Sequence, residues 1–373
     1  MLLQKDNLNK HKDFRKNFDF WLFSLTLAAS VFGIIMISSA SPTPGRHVAV
    51  QIGALVAGIV LMGVLMILDY EYLAGIWGYL YLGSIALLIL VLIPGIGTYD
   101  NGARSWFRFG PIGIQPAEIV KIAFIITFAK HLSEVDYMIN RPRYVLFLLV
   151  HAFILIGFIL FQPDFGTAVV FVCIMITMLF TAKISWKYLV AGFGAIAVAI
   201  PVAWIFVFKD YQKERIINLF NPENDPSGTG YQVAQSKIAI GSGQLFGSGL
   251  YKGGSGQSNF LPERHTDFIF SVVCEELGFI GALLVIALLV AIIVRCVMIG
   301  MNARNNLGMY ICVGVAAMFT FHLIENIGMC IGLMPVTGIP LPFFTYGGSS
   351  LLTNLAAIGL VLNVKYRSKS INF

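Results

Sequence analysis

Seven ionisable residues interrupt the long apolar runs of this sequence, and they are the side chains best placed to do chemistry. An ionisable group inside a membrane-spanning helix costs several kcal/mol unless it is paired, so each one marks either an ion pair or a functional site. Carboxylates can act as general bases, and a buried ammonium group can stabilise an anion. The seven residues are Glu118, Lys121, Asp164, Asp267, Glu275, Glu276 and Glu325.

Glu118 and Lys121 lie three residues apart, which places them on one face of a helix and close enough to pair. They form either an ion pair that makes this helix tolerable in a membrane or the polar wall of an outward-facing cavity. Asp164 follows Pro163 at a predicted helix start, where a carboxylate suits the first turn. Helix capping and a role in a cavity both stay open for Asp164.

The second half of the sequence carries the remaining acids. Asp267 begins a predicted helix, and it is either a helix cap or a group at the outer membrane boundary that meets a substrate head group. Glu275 is predicted on the same broad side of this helix, roughly 12 Å deeper. Glu276 points the opposite way and is predicted to contact a neighbouring helix. Glu325 is predicted to find a partner across helices.

The elements that must hold these residues are membrane-spanning helices. The chain has 373 residues, of which 57% are hydrophobic and 12% charged, and its mean hydropathy is +0.81. Soluble domains are about 25% charged, so a soluble globular protein, a disordered chain and a secreted disulfide scaffold are excluded. The five cysteines lie in apolar runs without metal-ligand spacing and are predicted to be free and buried.

Ten apolar segments approach the roughly 20 residues that a spanning helix needs. The sequence therefore predicts an all-α polytopic membrane protein, with residues 1–373 as one integral membrane domain. The first segment resembles a signal peptide, but its apolar core is long and we expect an uncleaved helix. The predicted segments are 20–40, 48–68, 73–93, 116–132, 145–161, 164–182, 187–208, 267–294, 307–331 and 349–364.

The distribution of Lys and Arg predicts the orientation in the membrane. With both termini in the cytoplasm, most of these residues fall in cytoplasmic segments, and Arg46, Arg104 and Arg108 fall in short outer loops. The formal net charge of +6 then reflects anchoring to anionic lipid. Nucleic-acid binding is not expected, because the basic residues are dispersed over many loops.

Three longer segments fall on the outer side. Residues 94–115 carry Arg104 and Arg108. Residues 209–265, between the seventh and eighth predicted helices, form a large extracellular loop with Arg215 and short amphipathic helices at 211–220 and 232–240. Residues 332–348 are too rich in proline for a helix and too apolar for a solvated loop, so they are predicted to be a re-entrant segment beside a cavity.

Short motifs, in order over nearly the whole chain, resemble those of the SEDS family (shape, elongation, division and sporulation). The runs at 259–267 and 332–343 are more similar to the elongation branch of that family than to its division branch. The motifs lie at 101–106, 115–121, 162–167, 221–222, 225–226, 230–232, 239–243, 259–270, 275–278 and 332–350.

The resemblance implies a peptidoglycan glycosyltransferase that polymerises lipid II at the outer face of the cytoplasmic membrane during cell-wall elongation and shape maintenance. The essential Asp of the family matches Asp267, and its paired Glu and Lys match Glu118 and Lys121. The Asp of its Pro-Asp-Phe/Leu-Gly motif matches Asp164. A class B penicillin-binding protein is the implied transpeptidase partner, together with other membrane proteins of the elongation complex.

The implied chemistry is an inverting transfer in which Asp267 acts as general base on the acceptor sugar. Cations must stabilise the pyrophosphate leaving group. A divalent cation such as Mg²⁺ or Mn²⁺ would add its positive charge to that of the side chains. The candidate cations are Lys121, Arg104, Arg108 and Arg215. The other candidate substrate-binding residues are Asp164 and Glu275. The alternative functions are a lipid II flippase and a non-catalytic scaffold for cell-wall enzymes.

Overall fold

The computed structural model describes residues 18–100, 103–109, 112–206, 210–220, 225, 228–254 and 261–368, most of them helical. In chain order the helices are α1 Phe20–Ala40, α2 Pro44–Ile67, α3 Tyr70–Gly75, α4 Trp77–Leu92, α5 Pro116–Val135, α6 Pro142–Phe161, α7 Phe165–Thr181, α8 Trp186–Phe206, α9 Asp210–Phe220, α10 Thr229–Ser242, α11 Ile269–Met301, α12 Asn306–Cys330 and α13 Gly348–Arg367. The strands are β1 Thr98–Asp100, β2 Ala103–Phe109 and β3 Ile112–Ile114.

Every apolar segment predicted from the sequence overlaps a helix, and the segment at 73–93 overlaps two, α3 and α4. Within the described residues, α1, α2, α6, α11 and α12 are long and apolar enough to cross a membrane. Shorter apolar helices occupy Trp77–Leu92, Phe165–Thr181 and Trp186–Val198. The chain is therefore a multi-pass membrane protein, and the number of ten crossings stays a prediction from the sequence.

Prolines and a capping carboxylate set several helix starts. Pro44, Pro116 and Pro142 begin α2, α5 and α6, where the missing N–H of proline leaves no hydrogen bond unmade. The Asp19 carboxylate caps α1 by accepting from the Leu22 N–H at 2.9 Å. It also pairs with Arg295 across 2.7 Å, and this ion pair ties α1 to α11.

Helix α12 lies at the centre of the bundle. It packs against α5, α7, α11 and α13, and α13 packs along α2. This inner position explains why polar residues on α12, including His322 and Asn326, are buried. The cysteines are free as predicted; Cys173 is half-buried and the others are buried.

Two of the predicted outer loops contain regular structure. Strands β1, β2 and β3 form an antiparallel sheet within residues 98–114, and β2 carries Arg104 and Arg108. Helices α9 and α10 match the amphipathic helices predicted at 211–220 and 232–240. The motif positions at 101–102, 221–222, 226 and 259–260 lie outside the described residues.

Residues 332–347, here called the re-entrant segment, form no regular helix, as predicted, and all but Leu333 and Gly338 are buried or half-buried. The cavity beside them stays a prediction. Their backbone fills the space beside Gly33 of α1, where any side chain would collide with the Phe343 carbonyl oxygen. Gln51 of α2 donates to the Thr345 carbonyl at 3.3 Å and accepts from the Gly347 N–H at 3.1 Å. Irregular backbone at membrane depth is tolerated when protein groups satisfy it in this way.

Helix α11 is interrupted at Gly278, whose backbone angles (φ 66°, ψ −162°) are essentially restricted to glycine. A loop at residues 244–249 satisfies the backbone groups that the break exposes. It accepts from the N–H groups of Phe279 and Ile280 and donates to the carbonyls of Glu275 and Glu276. The break separates residues 269–277, which follow Asp267, from the rest of the helix.

Candidate active site

Asp267 lies two residues before α11, which corrects the predicted helix start at 267. Phe268 occupies the N-cap position without a capping hydrogen bond from a side chain, so Asp267 does not cap the helix. Burial raises the pKa of the Asp267 carboxyl to about 6, the negative charge of Glu263 adds to the rise, and Arg215 opposes it. A carboxyl group with this pKa is suited to accept a proton near neutral pH.

Asn326 of α12 holds the main chain at Asp267 in place. Its Nδ2 donates to the Asp267 carbonyl at 2.9 Å and to the Ile339 carbonyl of the re-entrant segment at 2.9 Å. The Thr345 hydroxyl, also in the re-entrant segment, donates to the Thr266 carbonyl at 3.2 Å. The position of Asp267 therefore depends on both α12 and the re-entrant segment.

The predicted ion pair between Glu118 and Lys121 is present at the start of α5. Lys121 Nζ lies 2.6 Å from Glu118 Oε1, and the exposed fractions of Glu118 and Lys121 are 2% and 1%. His322 of α12 is a third member, because its Nε2 lies 3.2 Å from the same Nζ. Glu118 Oε2 and His322 Nδ1 have no hydrogen-bond partner among the described residues. A buried polar atom without a hydrogen bond costs about 1–3 kcal/mol of stability. These two atoms are therefore suited to bind a water molecule or a group of the substrate.

Asp164 caps α7 and also lies beside this ion pair. Its Oδ1 accepts from the Thr167 N–H at 3.1 Å, and its Oδ2 accepts from the Thr167 hydroxyl at 2.9 Å. Gln115, just before α5, donates to Oδ2 at 2.9 Å. The charges of Lys121 and Glu118 are close enough to act on the Asp164 carboxyl. The structure thus shows capping together with a place in the polar cluster.

One face of α12 connects Asp267 with the ion pair. His322 and Asn326 are four residues apart, so they lie on the same helix face, about 6 Å apart along the axis. His322 contacts Lys121, and Asn326 binds the main chain at Asp267. On the same helix, Glu325 accepts from Thr337 at 2.8 Å, so its partner is the re-entrant segment rather than another helix.

The three candidate arginines differ in their surroundings. Arg104 on β2 donates to a carbonyl at the end of α4 at 3.2 Å, which stabilises the helix terminus. Arg108 lies exposed on the same strand. Arg215 of α9 acts on the charge of Asp267 and lines a small crevice with residues 334–336. Arg215 is therefore linked to Asp267 through its charge.

Glu275 and Glu276 take different partners. Glu275 is buried, and its charge acts on Arg264. Because Asp267 precedes the helix, the helical spacing that predicted Glu275 on its side does not apply. Glu276 accepts from the Ser39 hydroxyl of α1 at 2.5 Å, which confirms the predicted contact with a neighbouring helix.

His322 and Gln115 contact the candidate residues but were not predicted as site residues. The sequence carries a signal for His322, because His322, Glu325 and Asn326 recur at helical spacing in an otherwise apolar segment. That spacing shows a polar helix face without showing what it contacts. Gln115 carries no comparable signal, since it lies before the helix and its partner Asp164 is distant in sequence.

The fold and the site together define a multi-pass membrane protein with a polar cluster between its central helices and an acid at one end of the bundle. Residues 20–370 match the family described as cell cycle protein, that of FtsW, RodA and SpoVE. The chain belongs to this family, which is the SEDS family that its motifs resemble.

Relatives in this family are similar over almost the entire chain. The peptidoglycan glycosyltransferase MrdB of Escherichia coli K12 is 35% identical over 368 residues, which cover 98% of this chain and 99% of MrdB. The stage V sporulation protein E of Bacillus subtilis is 38% identical over 371 residues, which cover 94% of this chain and 98% of that protein.

Solved structures show the same fold. RodA of Thermus thermophilus matches with a TM-score of 0.72 and 30% identity, covering 95% of this chain and 98% of RodA. A chain in a structure on the coordination of polymerization and crosslinking by a peptidoglycan synthase complex matches with a TM-score of 0.83 and 32% identity. It covers 95% of this chain and 99% of its own length. These matches support a RodA-like resemblance.

Proposed function

We propose that this protein is a peptidoglycan glycosyltransferase that polymerises lipid II at the outer face of the cytoplasmic membrane. The observation that carries the proposal is the Asp267 carboxyl, whose pKa is about 6, connected through one face of α12 to the buried Lys121. The relative MrdB, similar over almost the whole chain, is named a peptidoglycan glycosyltransferase. The RodA-like resemblance supports a role in cell-wall elongation and cell shape.

In the proposed reaction, Asp267 is the general base. It takes the proton from the 4-hydroxyl group of the acceptor sugar as that oxygen attacks the anomeric carbon of the donor. The bond from the anomeric carbon to the pyrophosphate breaks, undecaprenyl pyrophosphate leaves, and the configuration at that carbon inverts. A base positioned for this transfer contributes roughly 10²–10⁴-fold to the rate.

The pyrophosphate leaving group requires positive charge close to it. Lys121 supplies a buried ammonium group that Glu118 holds at 2.6 Å, and Arg215 supplies a guanidinium group near Asp267. These side chains are the proposed electrostatic partners of the leaving group. The remaining candidate substrate-binding residues are Asp164, Arg104, Arg108 and Glu275.

A divalent cation, Mg²⁺ or Mn²⁺, would neutralise part of the pyrophosphate charge. Within the described residues there is no group of three or more His, Cys, Asp or Glu side chains arranged to hold a metal ion. Asp267 and Glu263 are two acidic groups whose charges interact. We propose these two carboxylates as the side chains that would hold such an ion, because Mg²⁺ takes one or two carboxylates and completes its shell with water and substrate phosphate.

We place both termini in the cytoplasm and Asp267 at the outer end of the bundle. The start of α12 follows Arg304, which lies in a predicted cytoplasmic segment. Asn326, which binds the Asp267 main chain, lies about 30 Å further along α12. This length is about the thickness of the apolar core of a bilayer.

The proposed partner is a class B penicillin-binding protein, which would crosslink the strands that this protein polymerises. A chain of the same fold belongs to a peptidoglycan synthase complex described as coordinating polymerization and crosslinking. Other membrane proteins of the elongation machinery complete the proposed assembly.

Purified protein supplied with lipid II tests the function directly. We expect the wild-type protein to form glycan strands and the Asp267→Ala variant to form none, while both elute as the same monodisperse species and unfold at similar temperatures. Full polymerisation by the variant would refute the general-base role. No polymerisation by the folded wild-type protein, alone and with its partner, would refute the glycosyltransferase function.

The same preparation separates the two other functions. A flippase would move lipid II across proteoliposome membranes without polymerising it and would lose transport with Asp267→Ala. A scaffold would support wild-type growth with Asp267→Ala at normal expression. Either result would replace the glycosyltransferase proposal.

A further inference from the structure

His322 is a buried side chain that the proposed reaction has not yet used. It is 1% exposed on α12, and its Nε2 lies 3.2 Å from Lys121 Nζ. A polar residue inside a spanning helix is costly unless it serves a contact or a function. An apolar residue would fill this position in the bundle at lower cost, so the contact with Lys121 requires an explanation.

The donor and acceptor chemistry of this contact fixes the state of His322. An ammonium group has three N–H donors and no acceptor, so His322 Nε2 must accept. The imidazole is therefore neutral and carries its proton on Nδ1. Because it is neutral, His322 binds Lys121 without cancelling the positive charge, whereas Glu118 Oε1 at 2.6 Å supplies a counter-charge.

Two acceptors at fixed positions hold both the position and the orientation of the Lys121 ammonium group. Its three N–H bonds are arranged tetrahedrally, so once Glu118 and His322 each accept from one of them, the direction of the third is determined. With Glu118 alone, the side-chain torsions of Lys121 could carry Nζ around Glu118 Oε1, and the direction of the remaining N–H bonds would change with it. No described residue accepts a hydrogen bond from the third N–H.

We propose that His322 is a positioning residue of the glycosyltransferase site, which directs the third N–H of Lys121 at the pyrophosphate of the lipid-linked donor. His322 Nδ1 is a second buried donor without a described partner, and phosphate oxygens accept hydrogen bonds from both. Glu118 Oε2 is an unpartnered acceptor, which suits a water or a hydroxyl group instead. The proposal rests on the proposed polymerisation of lipid II.

Substitutions at 322 separate the acceptor from the bulk of the side chain. His322→Gln retains an oxygen that can accept from Lys121, and His322→Leu removes the acceptor. We expect His322→Leu to lower kcat for lipid II polymerisation by about 10–100-fold with little change in KM, because a misdirected cation weakens stabilisation of the leaving group. We expect His322→Gln to retain most of the wild-type kcat.

His151→Leu is the matched control. His151 is also a buried histidine in a predicted spanning helix, 6% exposed, and its Nε2 lies 3.1 Å from the Thr127 hydroxyl. Loss of this hydrogen bond should lower the unfolding temperature and leave kcat for lipid II polymerisation unchanged. If His322→Leu does not fold, His322→Asn replaces it, because the Asn amide is one methylene shorter than Gln and does not reach Lys121.

The outcomes are distinct from those that test the glycosyltransferase function. If wild-type protein polymerises lipid II and a folded His322→Leu or His322→Asn variant matches its kcat, the positioning role is wrong. Equal loss in His322→Gln and His322→Leu also contradicts it, because the acceptor would then not matter. Failure of wild-type polymerisation removes the underlying function, whatever the variants do.

Discussion

A carboxyl group with a raised pKa is a reactive group that weakens the fold. Asp267 has a pKa of about 6 in the folded protein against about 4 in an unfolded chain. Between these values the Asp267 carboxyl binds its proton more tightly in the folded state than in the unfolded state. The contribution of Asp267 to the free energy of unfolding therefore falls as the pH rises from about 4 to about 6. Above that window the ionised carboxylate is destabilising, which is consistent with a group kept for chemistry.

The Asp267→Asn variant tests this account at neutral pH. We expect it to be more stable than wild type by about 3 kcal/mol at pH 7.5, because it removes an ionised group that burial disfavours. The gain should shrink as the pH falls through about 6 toward about 4. Denaturant unfolding in detergent across this range measures it. An equal or lower stability of the variant at pH 7.5 would contradict the raised pKa.

The ion pair of Glu118 and Lys121 predicts a different pattern. Removing one partner by Glu118→Gln or Lys121→Met leaves a buried charge uncompensated, which costs about 3–5 kcal/mol. We expect the double variant to be more stable than either single variant and yet inactive in polymerisation. Exposed Glu134 pairs with half-buried Lys130 at 3.1 Å. Glu134→Gln is the control, expected to change the free energy of unfolding by under about 1 kcal/mol. Additive losses in the double variant would show that the buried pair is not coupled.

At the scale of elements, the site depends on irregular backbone between long helices. The re-entrant segment reaches α1 at Gly33, α2 through Gln51 and α12 through Asn326. Gln51 and Asn326 form hydrogen bonds with main-chain groups that no helix pairs, and Gly33 leaves space for the main chain. The break at Gly278 is a second irregular stretch of backbone. It divides α11, so that residues 269–277, which follow Asp267, are separated by a kink from the rest of the helix.

Gly278→Ala tests the break. The angles at Gly278 are hardly accessible to alanine, and a Cβ atom there would lie 2.5 Å from the Gly247 nitrogen. We expect a loss of at least about 2 kcal/mol in the free energy of unfolding. Gly157→Ala is the control, because Gly157 lies in α6 with no neighbouring atom within 4 Å of the methyl group that alanine would add, and alanine favours the helix. Equal stability of the two variants would mean that α11 can form without its break.

At the scale of the whole molecule, the proposed orientation places Asp267 outside and the termini inside. Single cysteines introduced at exposed loop positions test it, because the native cysteines are buried or half-buried. We expect Thr43→Cys to react with a membrane-impermeant maleimide on intact spheroplasts and Asn302→Cys to react only after lysis. The unmodified protein is the labelling control. The reverse pattern would invert the topology and place Asp267 in the cytoplasm.

The sequence by itself determined the class of protein, the positions of its apolar helices and most of the candidate site residues. These properties are local, because the length of an apolar run and the presence of a charge within it can be read without knowing what they contact. The pairing of Glu118 with Lys121 was predictable for the same reason, since both lie on one helix turn. The family motifs added the expected roles.

Only the tertiary structure decided which of these residues meet. Lys121 and His322 are 201 residues apart in the sequence, and Asp267 and Asn326 are 59 apart, so no local pattern predicts either contact. The sequence also placed Asp267 on a helix with Glu275, whereas the chain at Asp267 is bound by α12 and the re-entrant segment instead. Helix periodicity fixes neighbours along one element, but the packing of separate helices decides what each polar face contacts.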